Sequence, residues 1–221
     1  MKKIINYYIY LPIVIIITSF VFIFESILNI DFTFDWFHYS IILIDFLFIL
    51  INFIIDIKLF KTEYVYIFIA LMFTIVADLI LVIICEHLPI GVGFFILVQL
   101  GYLNFIHYEK NKFKFITTII ITLIVLLILI IFRNDPNLNI YVSTLYGLLF
   151  ISNTTFAIIK KLDKMFIIGL ILFMLCDICV ALDTLQLFND PNDFIFRLIW
   201  VFYMPSQILI TFFALKKMSN N

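Results

Sequence analysis

The chain has 221 residues, 65% of them hydrophobic and 13% charged, with a formal net charge of −1. Soluble globular proteins are roughly half apolar and a quarter charged, so too few polar residues are present to cover a water-facing surface. That composition argues against a soluble enzyme, a nucleic-acid binder and a disordered segment, and no basic block is present to hold a polyanion. The sequence reads as an integral, multi-pass membrane protein.

Apolar runs of roughly 20 residues, the length at which a helix crosses about 30 Å of hydrocarbon, recur along the chain. They cover residues 6–26, 37–57, 64–85, 89–108, 113–132, 140–159, 165–187 and 196–215. The connections are short, and most carry charge, Pro or clusters such as Asn134-Asp135-Pro136-Asn137. The first run follows Met1-Lys2-Lys3, as a signal peptide would. It is too long for a typical apolar signal core and no small-x-small cleavage site follows, so a retained helix is expected.

The cations give an independent reading of topology. With eight spans, Lys2, Lys3, Lys58, Lys61, Lys110, Lys112, Lys114, Lys160, Lys161, Lys164, Lys216 and Lys217 share one side of the membrane. Only Arg133 and Arg197 face the other. Positively charged loops stay in the cytoplasm. The expected fold is therefore all-α: a polytopic bundle of eight transmembrane helices, one domain over 1–221, both termini cytoplasmic, in a bacterial-type cytoplasmic membrane.

An ionised side chain at the bilayer centre costs roughly 2.5–3.5 kcal/mol on insertion scales, so acids deep in a span need a reason. Asp45 in the second span, Asp78 in the third and Asp177 in the seventh are such residues; Glu25, Asp56 and Asp183 sit at span ends, where the interface solvates them. Counted from the expected outer ends at 1.5 Å per residue, Asp45, Asp78, Gln99, Asp177 and Gln207 occupy one layer roughly 12–17 Å deep. A shared depth points to a common cavity. Gln99 with Tyr102, Tyr203 with Gln207, and Thr74 with Asp78 are three or four residues apart, so each pair shares a helix face. Pro205 interrupts backbone bonding beside Gln207. Gly91 and Gly93 fit close helix packing as well as ligand approach. Taken singly, Gln99 and Gln207 read as interhelical hydrogen-bond glue, whereas the aspartate pair reads as functional. Asp45 stands between the two, because Asn52 and Asp56 continue its face toward the cytoplasm as a wet groove would.

The three cysteines, Cys85, Cys176 and Cys179, cannot form a disulfide framework. Cys176-Asp177-Ile178-Cys179 has C-x-x-C spacing but lacks a second Cys/His pair. His38, His87 and His107 are too dispersed for a metal site. No metal or other cofactor is expected. The third and seventh spans both place a small residue before the aspartate (Ala77-Asp78, Cys176-Asp177), and each is followed by a span bearing a glutamine. This hints at a four-plus-four repeat, although Asp and Gln are 21 residues apart in one half and 30 in the other.

Two stretches resemble the YhhN family of membrane proteins, which includes the lysoplasmalogenases. The first runs from Phe73-Thr74-Ile75-Val76-Ala77-Asp78-Leu79-Ile80-Leu81 through Gly93-Phe94-Phe95 to Gln99-Leu100-Gly101-Tyr102. The second is Gly169 to Asp177 with Ala181, followed by Tyr203-Met204-Pro205-Ser206-Gln207-Ile208-Leu209-Ile210. Departures from the family pattern are Ala77 for Gly, Cys176 for Ser, Gln99 for His, and the absence of a Lys-Pro pair near the second span.

The resemblance implies hydrolysis of the vinyl ether bond of a lysoplasmalogen to a fatty aldehyde and a glycerophospho-base. Asp78 and Asp177 would be the catalytic acid and base, with Gln99, Tyr102, Tyr203, Gln207 and Asp45 orienting water or substrate. The implied partners are a lysophospholipid or other single-chain lipid and the bilayer itself. A non-catalytic transporter or lipid-binding protein, whose aspartates bind a proton or cation, is the alternative. An intramembrane aspartyl protease fits less well, because Val76-Ala77-Asp78 lacks the glycines of a Gly-x-Gly-Asp signature.

Overall fold

The computed structural model describes residues 34–56, 58, 62–84, 88–107, 138–184 and 194–220, with the isolated positions Tyr10, Ile13, Val14 and Ile131. Helix α1 is Phe34–Ile55 and α2 is Tyr64–Asp78, which passes directly into a π-helical segment, Leu79–Ile84. Then come α3 (Leu88–Ile106), α4 (Leu138–Ile159), α5 (Lys164–Thr184) and α6 (Phe194–Asn220). No strand occurs among the described residues. These helices correspond to six of the eight expected spans; the spans at 6–26 and 113–132 lie outside the described residues apart from isolated positions.

The boundaries differ from the hydropathy reading by a turn or so. Helix α6 runs past 215 to Asn220, because Lys216 and Lys217 are good helix formers once outside hydrocarbon. Hydropathy marks the membrane, not the helix. Five stretches, Tyr64–Ile84, Leu88–Ile106, Leu138–Ile159, Lys164–Thr184 and Phe194–Met218, are long and apolar enough to cross a membrane, and Tyr39–Ile55 of α1 is apolar but shorter.

Helix α4 shows what those faces meet. Leu138, Val142, Tyr146, Phe150, Asn153 and Ala157 form a buried stripe at helical spacing, while Ile140 and Ile159 on other faces are 63% and 68% exposed. A helix apolar on its packed face and its open face alike is suited to lipid rather than water. Helix α4 closes on a Schellman turn: Leu162 N–H bonds the Ala157 carbonyl and Lys161 N–H the Ile158 carbonyl, with Lys161 left-handed at φ 50°. Asp163 then caps α5, its Oδ1 accepting from Met165 N–H at 3.0 Å, while Oδ2 lies 3.6 Å from Lys217 Nζ at the far end of α6.

The described residues fall into two compact units, one of the helices before residue 57 and after residue 156, the other of the helices between. In the first, α5 and α6 form an antiparallel hairpin. Phe166 packs on Phe213 and Phe173 on Tyr203, with ring centroids 5.3 and 5.4 Å apart. Between these ring pairs a Cβ at Gly169 would lie 2.8 Å from Ile210 Cγ1 and 3.1 Å from the Ser206 carbonyl oxygen. In the second, α2 and α3 form the corresponding hairpin, with Tyr64 on Phe105 and Phe73 on Phe94. A Cβ at Gly101 would stand 3.0 Å from both Ala70 Cβ and the Tyr66 carbonyl oxygen. Small residues at these crossings let backbones approach, which matters where lipid competes equally for every apolar contact. Helix α4 joins this unit through Tyr146, which packs on Phe95 of α3.

Gly169→Leu and Gly101→Leu are each expected to destabilise the protein by about 1–3 kcal/mol through overpacking, read as a lowered thermal unfolding midpoint in detergent. Gly147, with no atom within 4 Å of a would-be Cβ, is the control. Gly147→Ala should leave the midpoint unchanged or raise it, through a gain in stability of up to about 1 kcal/mol from helix propensity.

Candidate functional site

In the second unit the candidate residues lie on α2, α3 and α4. Asp78 ends α2 and is 3% exposed. The helix changes register immediately after it, from α to π, a feature that recurs at functional sites because it re-aims side chains and loosens the backbone ladder. Tyr102 of α3 is fully buried, and the Asp78 carboxylate acts on its phenol electrostatically. Both side chains lean toward the N-termini of their helices. In an antiparallel hairpin that brings them toward each other. Thr74, one turn before Asp78, has its hydroxyl committed to the Ala70 carbonyl at 3.0 Å.

Gln99 is fully buried and is gripped by Asn153 of α4. Asn153 Nδ2 donates to the Gln99 backbone oxygen at 2.8 Å and to its side-chain Oε1 at 2.9 Å. Gln99 is thus interhelical glue, and Asn153, not singled out from the sequence, is its partner. The signal was the polar run Ser152-Asn153-Thr154-Thr155 within the apolar 140–159 span. His107, at the end of α3, stacks edge-on against Phe156 with its ring nitrogen 3.2 Å from the Leu103 carbonyl.

In the first unit, Asp45 of α1 is fully buried and accepts from the Tyr10 hydroxyl at 2.7 Å. That hydroxyl also lies 3.5 Å from the Ile208 carbonyl of α6, and the Tyr10 ring packs edge-on against Phe48. Asn52 is fully buried and donates to the Phe48 carbonyl of its own helix. Tyr10 was the second partner missed, a tyrosine among apolar neighbours with nothing local to mark it.

Asp177 is half-buried on α5, one turn beyond Phe173 and flanked by the buried side chains of Cys176 and Cys179. Tyr203 of α6 packs between Phe173 and Trp200, and its carbonyl accepts from the Ser206 hydroxyl at 2.6 Å. Pro205 lies within an unbroken α6, offering no N–H to the carbonyl four residues back. Gln207 is fully buried, and neither amide atom has a partner among the described residues.

The register of each hairpin corrects the shared-depth expectation. Gly101 against Tyr66 and Ala70 sets Gln99 level with Ala70, about two helical turns from Asp78. Gly169 against Ser206 and Ile210 sets Gln207 about two turns from Asp177. Depth counted from hydropathy ends failed because such ends fix no register between neighbouring helices; the contacts of Gly101 and Gly169 do, and they set each glutamine deeper than its aspartate. Among the described residues no group of three His, Cys, Asp or Glu is placed to share a metal ion; Cys85 and His87 lie outside them, as does the side chain of His38.

Apolar helices of membrane-spanning length with acids, amides and phenols buried among them define a polytopic α-helical membrane protein. The chain belongs to the YhhN family, whose model matches residues 36–213, from the first turn of α1 almost to the end of α6. No curated protein and no solved structure matches it.

The Tyr10–Asp45 bond is a direct test of the first unit. Tyr10→Phe strips a buried acid of its donor and should destabilise the protein by about 1–3 kcal/mol. A double-mutant cycle of Tyr10→Phe with Asp45→Asn, followed by thermal unfolding, should show strong coupling; additive effects would mean the bond does not form in the membrane.

Proposed function

We propose that the chain is a lysoplasmalogenase-like membrane hydrolase that cleaves the vinyl ether bond of a single-chain lysoplasmalogen. Membership of the YhhN family supports the reading, and Asp78 carries it: a carboxyl 3% exposed in an apolar helix, within electrostatic reach of a buried phenol. Burying such a group against the insertion cost needs a return in function.

The chemistry suits two carboxyls. One, in its acid form, gives a proton to the vinyl carbon distal to the ether oxygen, which leaves an oxocarbenium-like cation. The other, ionised, stabilises that cation and takes a proton from the water that attacks it. The resulting hemiacetal breaks its C–O bond to the glycerol oxygen, releasing the fatty aldehyde and the glycerophospho-base. Asp78 and Asp177 fill these roles in the proposal; they belong to different compact units, so their partnership rests on the sequence resemblance. Tyr102, Tyr203 and Gln207 orient water or substrate. The lysine distribution supports cytoplasmic termini, and a single-chain substrate enters from the lipid.

One observation favours a second reading, a proton- or cation-binding transporter. The π segment that follows Asp78 is irregular backbone beside an intramembrane acid, an arrangement that transporters use for ion sites.

Aldehyde release from a lysoplasmenyl lipid by purified protein separates the two. Asp78→Asn and Asp177→Asn should each lower kcat by about 100-fold or more, the scale of a lost general acid or base, with the variants still folded. Turnover untouched by both substitutions would sink the two-carboxylate mechanism, and a folded wild type that releases no aldehyde would favour transport.

A further inference from the structure

The Gln99–Asn153 clasp leaves over more than it uses. A backbone carbonyl oxygen can only accept, so the Asn153 atom 2.8 Å from the Gln99 backbone oxygen must be Nδ2. The same Nδ2 lies 2.9 Å from the Gln99 side chain, whose facing atom must therefore be the acceptor Oε1. Both amides are thereby fixed without ambiguity. What remains is Gln99 Nε2, a donor, and Asn153 Oδ1, an acceptor, both buried and without a partner among the described residues. Both side chains are fully buried. A donor and an acceptor left open on adjoining amides, where no solvent reaches, call for a group that accepts and donates at once. A hydroxyl is the smallest organic group that does so.

We propose that Gln99 Nε2 and Asn153 Oδ1 form a hydroxyl-binding subsite for the free secondary hydroxyl of the lipid's glycerol. The proposal rests on the hydrolase reading and deepens it by naming what selects the substrate. A lysoplasmalogen differs from its two-chain parent in that this hydroxyl is free, and it sits one carbon from the carbon bearing the vinyl ether oxygen. Gln99 and Tyr102 lie three residues apart on α3, so one helix face carries both the amide edge and the phenol that feels Asp78. An acylated hydroxyl can no longer donate to Asn153 Oδ1. Asn153 is in this account a specificity residue that holds Gln99 in place and shares the hydroxyl with it.

The test uses the full chain in detergent and a probe that cannot be cleaved, a 1-O-alkyl lysoglycerophosphocholine, beside its 2-deoxy counterpart. Binding is followed by scintillation proximity. Wild type should bind the hydroxylated probe roughly 10- to 100-fold more tightly, the effect of leaving a buried hydrogen-bonding pair unfilled. Asn153→Leu should erase that preference by weakening the hydroxylated probe while the 2-deoxy probe binds as before. Gln99→Met removes the open donor yet keeps the Asn153 bond to the backbone oxygen, and should erase it too; it decides the matter if Asn153→Leu fails to fold. Equal affinity of wild type for the two probes, no binding of either, or a preference that survives Gln99→Met would overturn the subsite. A binding preference without aldehyde release from vinyl ether lipid overturns the hydrolase reading and leaves the subsite standing; aldehyde release without a preference does the reverse.

Discussion

Hydrocarbon offers a polar side chain no water to fall back on, and the rest of this structure depends on that constraint. Each polar group inside a span must bond within the protein or be kept for a ligand. Thr74, Asn52 and Ser206 take the local solution and return their hydrogen bonds to their own helices. Asn153 and Tyr10 take the long-range one and tie helices far apart in sequence, to Gln99 and Asp45. Such bonds give a membrane bundle the directional specificity that apolar contacts lack, because lipid tails pack against leucine as well as leucine does.

Glycine sets how closely the paired helices approach. Gly101 and Gly169 hold the α2–α3 and α5–α6 hairpins at backbone contact, and on each hairpin the aspartate stands nearer the connection with the glutamine about two turns deeper on the return helix. The spacings of 21 and 30 residues between Asp and Gln therefore describe similar layouts. Most of the difference lies in the connections, which run from Ile84 to Leu88 in one hairpin and from Thr184 to Phe194 in the other. The compact units nevertheless do not follow the sequence halves: α1 packs with α6, while α2, α3 and α4 group together.

Much of this was legible in the sequence because hydropathy is a one-dimensional signal. Runs of apolar residues located six described helices to within about a turn, and of the acids and amides that stood out against them Asp45, Asp78, Gln99 and Gln207 proved to be buried and Asp177 half-buried. Partners were not legible, because pairing is three-dimensional. Nothing near Asn153 names Gln99, 54 residues earlier, and nothing near Tyr10 names Asp45. Depth failed for a related reason. Counting residues assumes uniform rise and a known register between neighbours; a π segment breaks the first assumption, and the packing of Gly101 and Gly169 sets a register that hydropathy does not carry.

The contrast between the two ends of the α2–α3 hairpin bears on how a site of this kind would work. At the level of Gly101 the backbones touch and Gln99 is locked by two hydrogen bonds, so that region is fixed in place. At Asp78 the helix gives way to a π segment, whose wider turn weakens the backbone ladder. A rigid amide clasp two turns from an acid on looser backbone divides the labour: one end can fix a ligand's orientation while the other has room to change its hydrogen-bonding partner as a proton moves. Regular helix throughout would pack better against lipid, so the irregularity at Asp78 is most economically read as serving that residue.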